Sequence, residues 1–177
     1  MKEHFEQFAA YNRYANARLY GAAFALEESD YFQDVGAFFK SMHGTLNHLL
    51  LTDRIWMKRL TGEGDHPNEL DAILHRDRKS LALARVDEDE RIIQFVDSLS
   101  DEVLDGSLQY SNSSGRRFEQ KLRDILSHLF NHQTHHRGQA HTIISICTRR
   151  EPPTLDLLGM QRGNVAQELR EMANQLG

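Results

Sequence analysis

The sequence holds one cysteine, Cys147, and three prolines, Pro67, Pro152 and Pro153. A lone cysteine excludes an internal disulfide, and so few prolines leave long stretches free of helix breakers. No apolar run approaches the ~18 residues that a bilayer span requires, so no membrane association is expected. Excess positive charge is missing as well. Lys and Arg number 21 against 26 Asp and Glu, for a net charge of -5, and the basic residues are dispersed, so nucleic acid is not an expected partner. The opening residues Met1, Lys2, Glu3, His4, Phe5 and Glu6 carry charges where a secretory signal needs an apolar run. With the single cysteine, this gives the expectation of a cytoplasmic protein.

What is present is the mixture of an ordinary globular chain: 177 residues, 40% hydrophobic and 27% charged, read as a single domain over residues 1–177. A chain of this length buries roughly 70% of its unfolded surface, so it needs no structural staple and a bound metal would serve another purpose.

Hydrophobic spacing follows the helical period through most of the chain. Phe5, Phe8, Asn12, Ala15, Leu19, Ala22 and Leu26 mark a first helix to about Leu26, with Asn12 as a polar intruder. Asp34 or a neighbour is expected to cap a second helix, whose stripe is Phe38, Met42, Leu46, Leu49, Asp53, Trp56 and Leu60, stopped by Gly62 and Gly64. Beside it runs a smaller, more polar row: Ser41, Thr45, His48, Thr52 and Ile55. A third helical region is clearest from Val86 or Asp87 to Leu99. Residues Ser107 to Phe118 alternate around Asn-Ser-Ser-Gly, as a short hairpin does, with a loop as the competing reading. The fourth stripe, Leu122, Ile125, Leu129, His132, His136, Ala140, Ile143 and Cys147, ends before Pro152, and a last helix is expected near Leu155 to Gln175. The reading is all-α: a four-helix bundle with a short hairpin or loop inserted before the last long helix, and a short C-terminal helix.

Histidine is abundant, and four of the ten fall in one nine-residue segment: His128, His132, His135 and His136. His132 and His136 are four apart on an otherwise apolar stripe, so both imidazoles leave one helix face about a turn apart. Neutral imidazoles satisfy each other only in part, and a shared cation resolves the conflict. His48, mid-helix on the polar row of the second helix, is the best third ligand. Gly44 and Gly138, close to these residues, either permit close backbone approach or are merely tolerated. Three histidines leave coordination positions open, as in a catalytic rather than a closed structural zinc site. A zinc-protease His-Glu-x-x-His is absent, because Gln133 follows His132, and the lone Glu-x-x-His spacing, Glu63 with His66, lies in a Gly-rich loop unsuited to a di-iron bundle.

The segment Asn131-His132-Gln133-Thr134-His135-His136-Arg137-Gly138-Gln139 resembles the signature of the DinB-like, or damage-inducible, metal-dependent proteins. Further matching segments are Tyr11 to Asn16, His43 to Leu50 and Pro152 to Asp156, so the resemblance covers most of the chain. It implies a four-helix bundle, frequently a homodimer, with a divalent ion such as nickel or zinc held by one histidine of the second helix and two of the last long helix. Carried onto this sequence, these are His48, His132 and His136. It also implies a thiol-dependent transferase or related enzyme acting on a small molecule, with a low-molecular-weight thiol as partner.

Around the three ligands, His128 is read either as a partner that supports a ligating ring or as a surface residue, and His135 as non-ligating. Arg137 and Gln139 either bind substrate or orient a ligand, or else form a salt bridge and a packing hydrogen bond. Asn12 sets bundle register or lines a pocket. Trp56 and the stripe phenylalanines are read as core, and Cys147 as a small buried hydrophobe. Imidazole ligands suit zinc, nickel, copper and iron alike. Two other readings stand beside a metal-dependent transferase or hydrolase: a non-catalytic metal-binding stress-response protein, and a metal-free structural dimer with core histidines.

Overall fold

The first stripe folds as α1 (Lys2–Phe24), ending two residues short of the expected Leu26, which is nonetheless buried. A short α2 (Glu28–Phe32), not foreseen from the sequence, seats Tyr31 in the core. The second long helix, α3 (Met42–Thr61), starts later than the stripe predicts. Gly36 and Lys40 take positive φ, Asp34 Oδ1 accepts from Gly36 N at 2.9 Å in a local turn, and Ser41 rather than Asp34 caps the helix by accepting from Gly44 N. Phe38, expected at the head of the stripe, is therefore outside the helix and 86% exposed.

The third long helix, α4 (Arg78–Asp97), begins about two turns before Val86, with Asp77 as N-cap. Its inward face carries Arg85, Glu88 and Asp89 among Leu81, Ile92 and Val96, and those charges conceal its period. A single-turn α5 (Asp101–Asp105), also not foreseen, leads into the hairpin β1 (Ser107–Ser111) and β2 (Arg117–Lys121). The strands pair antiparallel, Ser107 with Lys121 through Ser111 with Arg117. Asn112 Oδ1 accepts from the backbone N–H groups of Ser114 and Arg116, and Gly115 takes positive φ. The last long helix, α6 (Leu122–Thr148), follows at once, and α7 (Leu157–Arg162) covers the start of the expected C-terminal helix. This computed structural model describes residues 1–112 and 114–163, so the remainder of that helix, to Gln175, lies outside the described residues.

The structure is mostly α-helical. Helix α1 packs on α4 and α6, and α3 packs on the same two, which leaves α1 diagonal to α3. Two large apolar clusters pack inside the bundle, beside a smaller one of Tyr11, Tyr14, Ala15 and Met160. The first large cluster holds Leu19, Tyr31, Met42, Leu46, Leu50, Leu81 and Ile143; the second holds Phe5, Met57, Ile92, Val96, Leu126 and Phe130. Helices α1 and α6 meet the second cluster first and the first cluster later, while α3 and α4 meet them in the opposite order. The pairs therefore run in opposite directions.

Between the two large clusters lies a layer of buried polar side chains drawn from all four long helices. Arg85 Nη1 donates to Asp53 Oδ2 at 2.7 Å, and its Nη2 lies 3.1 Å from Asp89 Oδ1. Asn12 and Asn16 donate to the same Asp89 oxygen at 3.1 and 2.9 Å, and Arg137 donates to the Oδ1 atoms of both asparagines. Gln133 Nε2 bridges to Asp53 Oδ1 and to the Leu49 carbonyl. Two arginines against two aspartates leave this layer neutral, the condition under which buried charge is tolerated. Among the described residues, no helix is long and apolar enough to cross a membrane.

Candidate functional site

His48 on α3 and His132 and His136 on α6 come together where these two helices pack. One nitrogen from each ring lies within 4.8 Å of the other two. Each helix contributes for a local reason: positions 132 and 136 share a face, and His48 sits on the polar row of α3 that borders that face.

Hydrogen bonds fix two of the rings. His48 Nδ1 is 2.7 Å from the Leu70 carbonyl, which can only accept, so Nδ1 carries the proton and Nε2 keeps its lone pair. His136 Nδ1 is 2.7 Å from Gln139 Oε1, giving the same tautomer. The two lone-pair nitrogens then face each other at 3.3 Å. That arrangement is repulsive unless a cation lies between them. Two nitrogens bound about 2.05 Å from one tetrahedral ion are themselves about 3.3 Å apart, so the spacing fits a metal. Outer nitrogens that donate to carbonyl oxygens are the usual supports of ligating histidines. Protons are poor substitutes, because burial holds His48 down at about 4 and His132 down at about 3, the other rings of the cluster adding to the effect on His132. Burial also lowers His136, against the opposing Gln139 hydrogen bond.

Phe39, which the sequence did not single out, walls this cluster. Its ring stacks on His48 at 3.8 Å between centroids and meets His136 edge-on at 5.5 Å. The sequence signal for it was Gly44: a Cβ there would stand 2.1 Å from the Phe39 carbonyl oxygen, so only glycine lets the preceding turn lie against α3. Gly138 shows no such contact and is simply tolerated.

Beside the histidines a pocket of about 520 Å³ opens, with His48, Thr52, Trp56, Arg59, His128 and His132 in its wall. Trp56 is partly buried against the second apolar cluster, as expected, and also lines the pocket. The hairpin closes one side through Ser111 and Asn112. His128 lines the pocket with its ring 5.8 Å from that of His132, and 5.2 Å from that of Trp56. His135 is exposed, with Gln139 as a neighbour, and stands outside the three-nitrogen cluster. Gln139 orients His136. Asn12 and Arg137 lie elsewhere: both belong to the buried layer, with the Arg137 guanidinium over the Tyr11 ring, so neither lines the pocket. Cys147 is partly buried against the first apolar cluster, as a small hydrophobe would be.

The sequence model of the DinB family matches residues 1–169. Protein DinB of Bacillus subtilis (strain 168) is 26% identical over 136 residues, covering 72% of this chain and 77% of that protein. The crystal structure of a DinB-like protein, YjoA, also from Bacillus subtilis, superposes with a TM-score of 0.62 at 14% identity, covering 85% of this chain and 98% of that one. That likeness shows the fold.

Proposed function

The chain belongs to the DinB family, and from its histidine cluster we propose that it is a metal-dependent enzyme that binds one divalent ion, zinc or nickel, through His48, His132 and His136. The observation that carries this is the pair of Nε2 lone pairs, on His48 and His136, facing each other at 3.3 Å with both Nδ1 protons committed elsewhere. A divalent ion there would supply Lewis-acid polarisation of a group entering from the pocket. The protein supplies the rest. Leu70 and Gln139 fix the tautomers, Phe39 keeps water from one side of the rings, and three histidines leave coordination open toward the 520 Å³ pocket.

The reaction class we propose is transfer to, or hydrolysis of, a small molecule, with a low-molecular-weight thiol as the co-substrate in the transfer case; the thiol rests on the family resemblance alone. A homodimer in the cytoplasm is the accompanying proposal. The test is turnover by metal-free, zinc-reloaded and nickel-reloaded protein on a panel of electrophiles with and without thiols, beside hydrolysable esters and amides. Turnover should require both the metal and all three histidines. Turnover by metal-free protein, or by His136→Ala, contradicts the reading; tight metal binding without turnover anywhere on the panel favours the non-catalytic metal-binding alternative.

A further inference from the structure

Most arginines packed into this bundle have an oxygen to hold. Arg85 faces Asp53 and Asp89, Arg91 faces Glu88, and Arg78 donates to the carbonyls of Phe24 and Leu26. Arg59 differs. It continues the α3 row that carries His48, Thr52 and Ile55, and it reaches the pocket wall on the far side of Trp56. Its guanidinium carbon stands 4.6 Å from the centre of the Trp56 ring and 5.1 Å from that of Tyr110. Those contacts satisfy the cation's attraction to aromatic faces and use none of its five N–H donors. Among the described residues, no carboxylate or other acceptor lies within hydrogen-bonding distance of it.

The rest of the wall offers Arg59 no counter-charge. Lys58, His66 and His128 line the pocket with Arg59, and no Asp or Glu does. Lys58 is already paired, 3.1 Å from the outlying Asp65. Arg59 is half-buried, and a cation taken partly out of water without a counter-charge is costly unless something else supplies it.

We propose that the pocket takes a small molecule carrying a carboxylate or phosphate group, and that Arg59 holds this oxyanion through its fork of N–H donors while the rest of the molecule extends toward His48 and His132. Only the second half of that statement rests on the metal-centre reading. Arg59 is a binding residue here: it fixes which end of the ligand faces the histidines. A guanidinium already held against two rings loses little freedom when a planar oxyanion docks against it.

Trp56 is the only tryptophan in the sequence, so its fluorescence reports on the Arg59 contact directly. The experiment titrates wild type with succinate and with inorganic phosphate at constant ionic strength, with succinamide as the uncharged control. A saturable fluorescence change with at least one anion and none with succinamide is expected, and the anion that saturates first identifies carboxylate or phosphate. Arg59→Gln should weaken that binding roughly tenfold or more, with Arg59→Lys between the two because an ammonium keeps the charge without the fork. No saturable response to either anion, an equal response to succinamide, or unchanged affinity in both Arg59 variants with wild-type helix content would overturn the proposal. Zinc content measured on the same samples separates the two readings: wild type that binds the anion but no zinc keeps the anion site and removes the metal centre.

Discussion

Asp53 and His48 leave α3 less than two turns apart, yet their surroundings differ in kind. Asp53 belongs to a layer in which two arginines, two aspartates, two asparagines and a glutamine meet one another across all four long helices. Burial pushes Asp53 up to about 6 and Arg85 answers it from 2.7 Å. His48 belongs to a cluster in which the outer nitrogens of His48 and His136 both donate to carbonyl oxygens and their inner nitrogens face each other without a donor between them. The first cluster answers its own charges, although Arg85 Nε, Arg137 Nε and Gln133 Oε1 make no hydrogen bond; the second would be completed by a cation. Gln133 joins them, spanning from α6 to the Leu49 carbonyl and to Asp53, one residue away from both His132 and His48. Through the Leu49 carbonyl, Gln133 therefore ties α3 to α6 beside the histidines without using Arg85.

Removing the central cation of the polar layer should have the largest effect. Arg85→Met leaves Asp53 and Asp89 buried without their main partner, and a loss of about 3–5 kcal/mol is expected, read as a lower denaturation midpoint. Zinc bound per folded chain should stay at the wild-type level, since Arg85 touches neither His48 nor α6's histidines. A stable Arg85→Met protein would mean that the layer contributes little.

Much of this contrast is legible in the sequence on one side and half hidden on the other. His132 and His136 announce themselves because polar residues interrupt an apolar stripe at helical spacing, and His48 follows from its row. The polar layer is only half visible: Asn12 and Asp53 interrupt apolar stripes and the register reading of Asn12 points to it, but Arg85 and Asp89 look like ordinary surface charge and erase the hydrophobic period of α4, and Arg137 reads equally as a substrate-binding residue beside His136. Only the packing of four helices shows that they answer one another. The pocket role of Trp56 and Arg59 is hidden differently. Trp56 holds the core-facing stripe position that its spacing predicts, but the hairpin, placed by Asn112 and Gly115, also makes that end of α3 a pocket wall.

A smaller effect is expected at the support of the open cluster. Gln139→Ala removes the acceptor of His136 Nδ1 and should weaken metal affinity about 10–100-fold with little change in metal-free stability, as competition with a chelator would show. Equal affinity would mean that the tautomer is fixed by another group.

The smallest effect separates the two clusters by sign. In metal-free protein, His48 and His132 are held below their ordinary 6.5, so the unfolded chain binds more protons and stability falls as pH drops from about 6.5 toward 4. Asp53 is held above its ordinary 3.8, so its contribution is present at low pH and is lost as pH rises through about 6. Denaturation midpoints between pH 4 and pH 7 should therefore rise with pH in wild type. Replacing the three histidines should flatten or reverse that slope. An unchanged slope would place the acid sensitivity outside the open cluster.

The most direct measurement is elemental analysis of untagged protein, wild type beside His132→Ala, before and after zinc or nickel is added back to metal-free samples. The account predicts close to one divalent ion per wild-type chain and none retained by the variant. Wild-type protein that takes up neither metal, or a variant that binds as much as wild type, would contradict it.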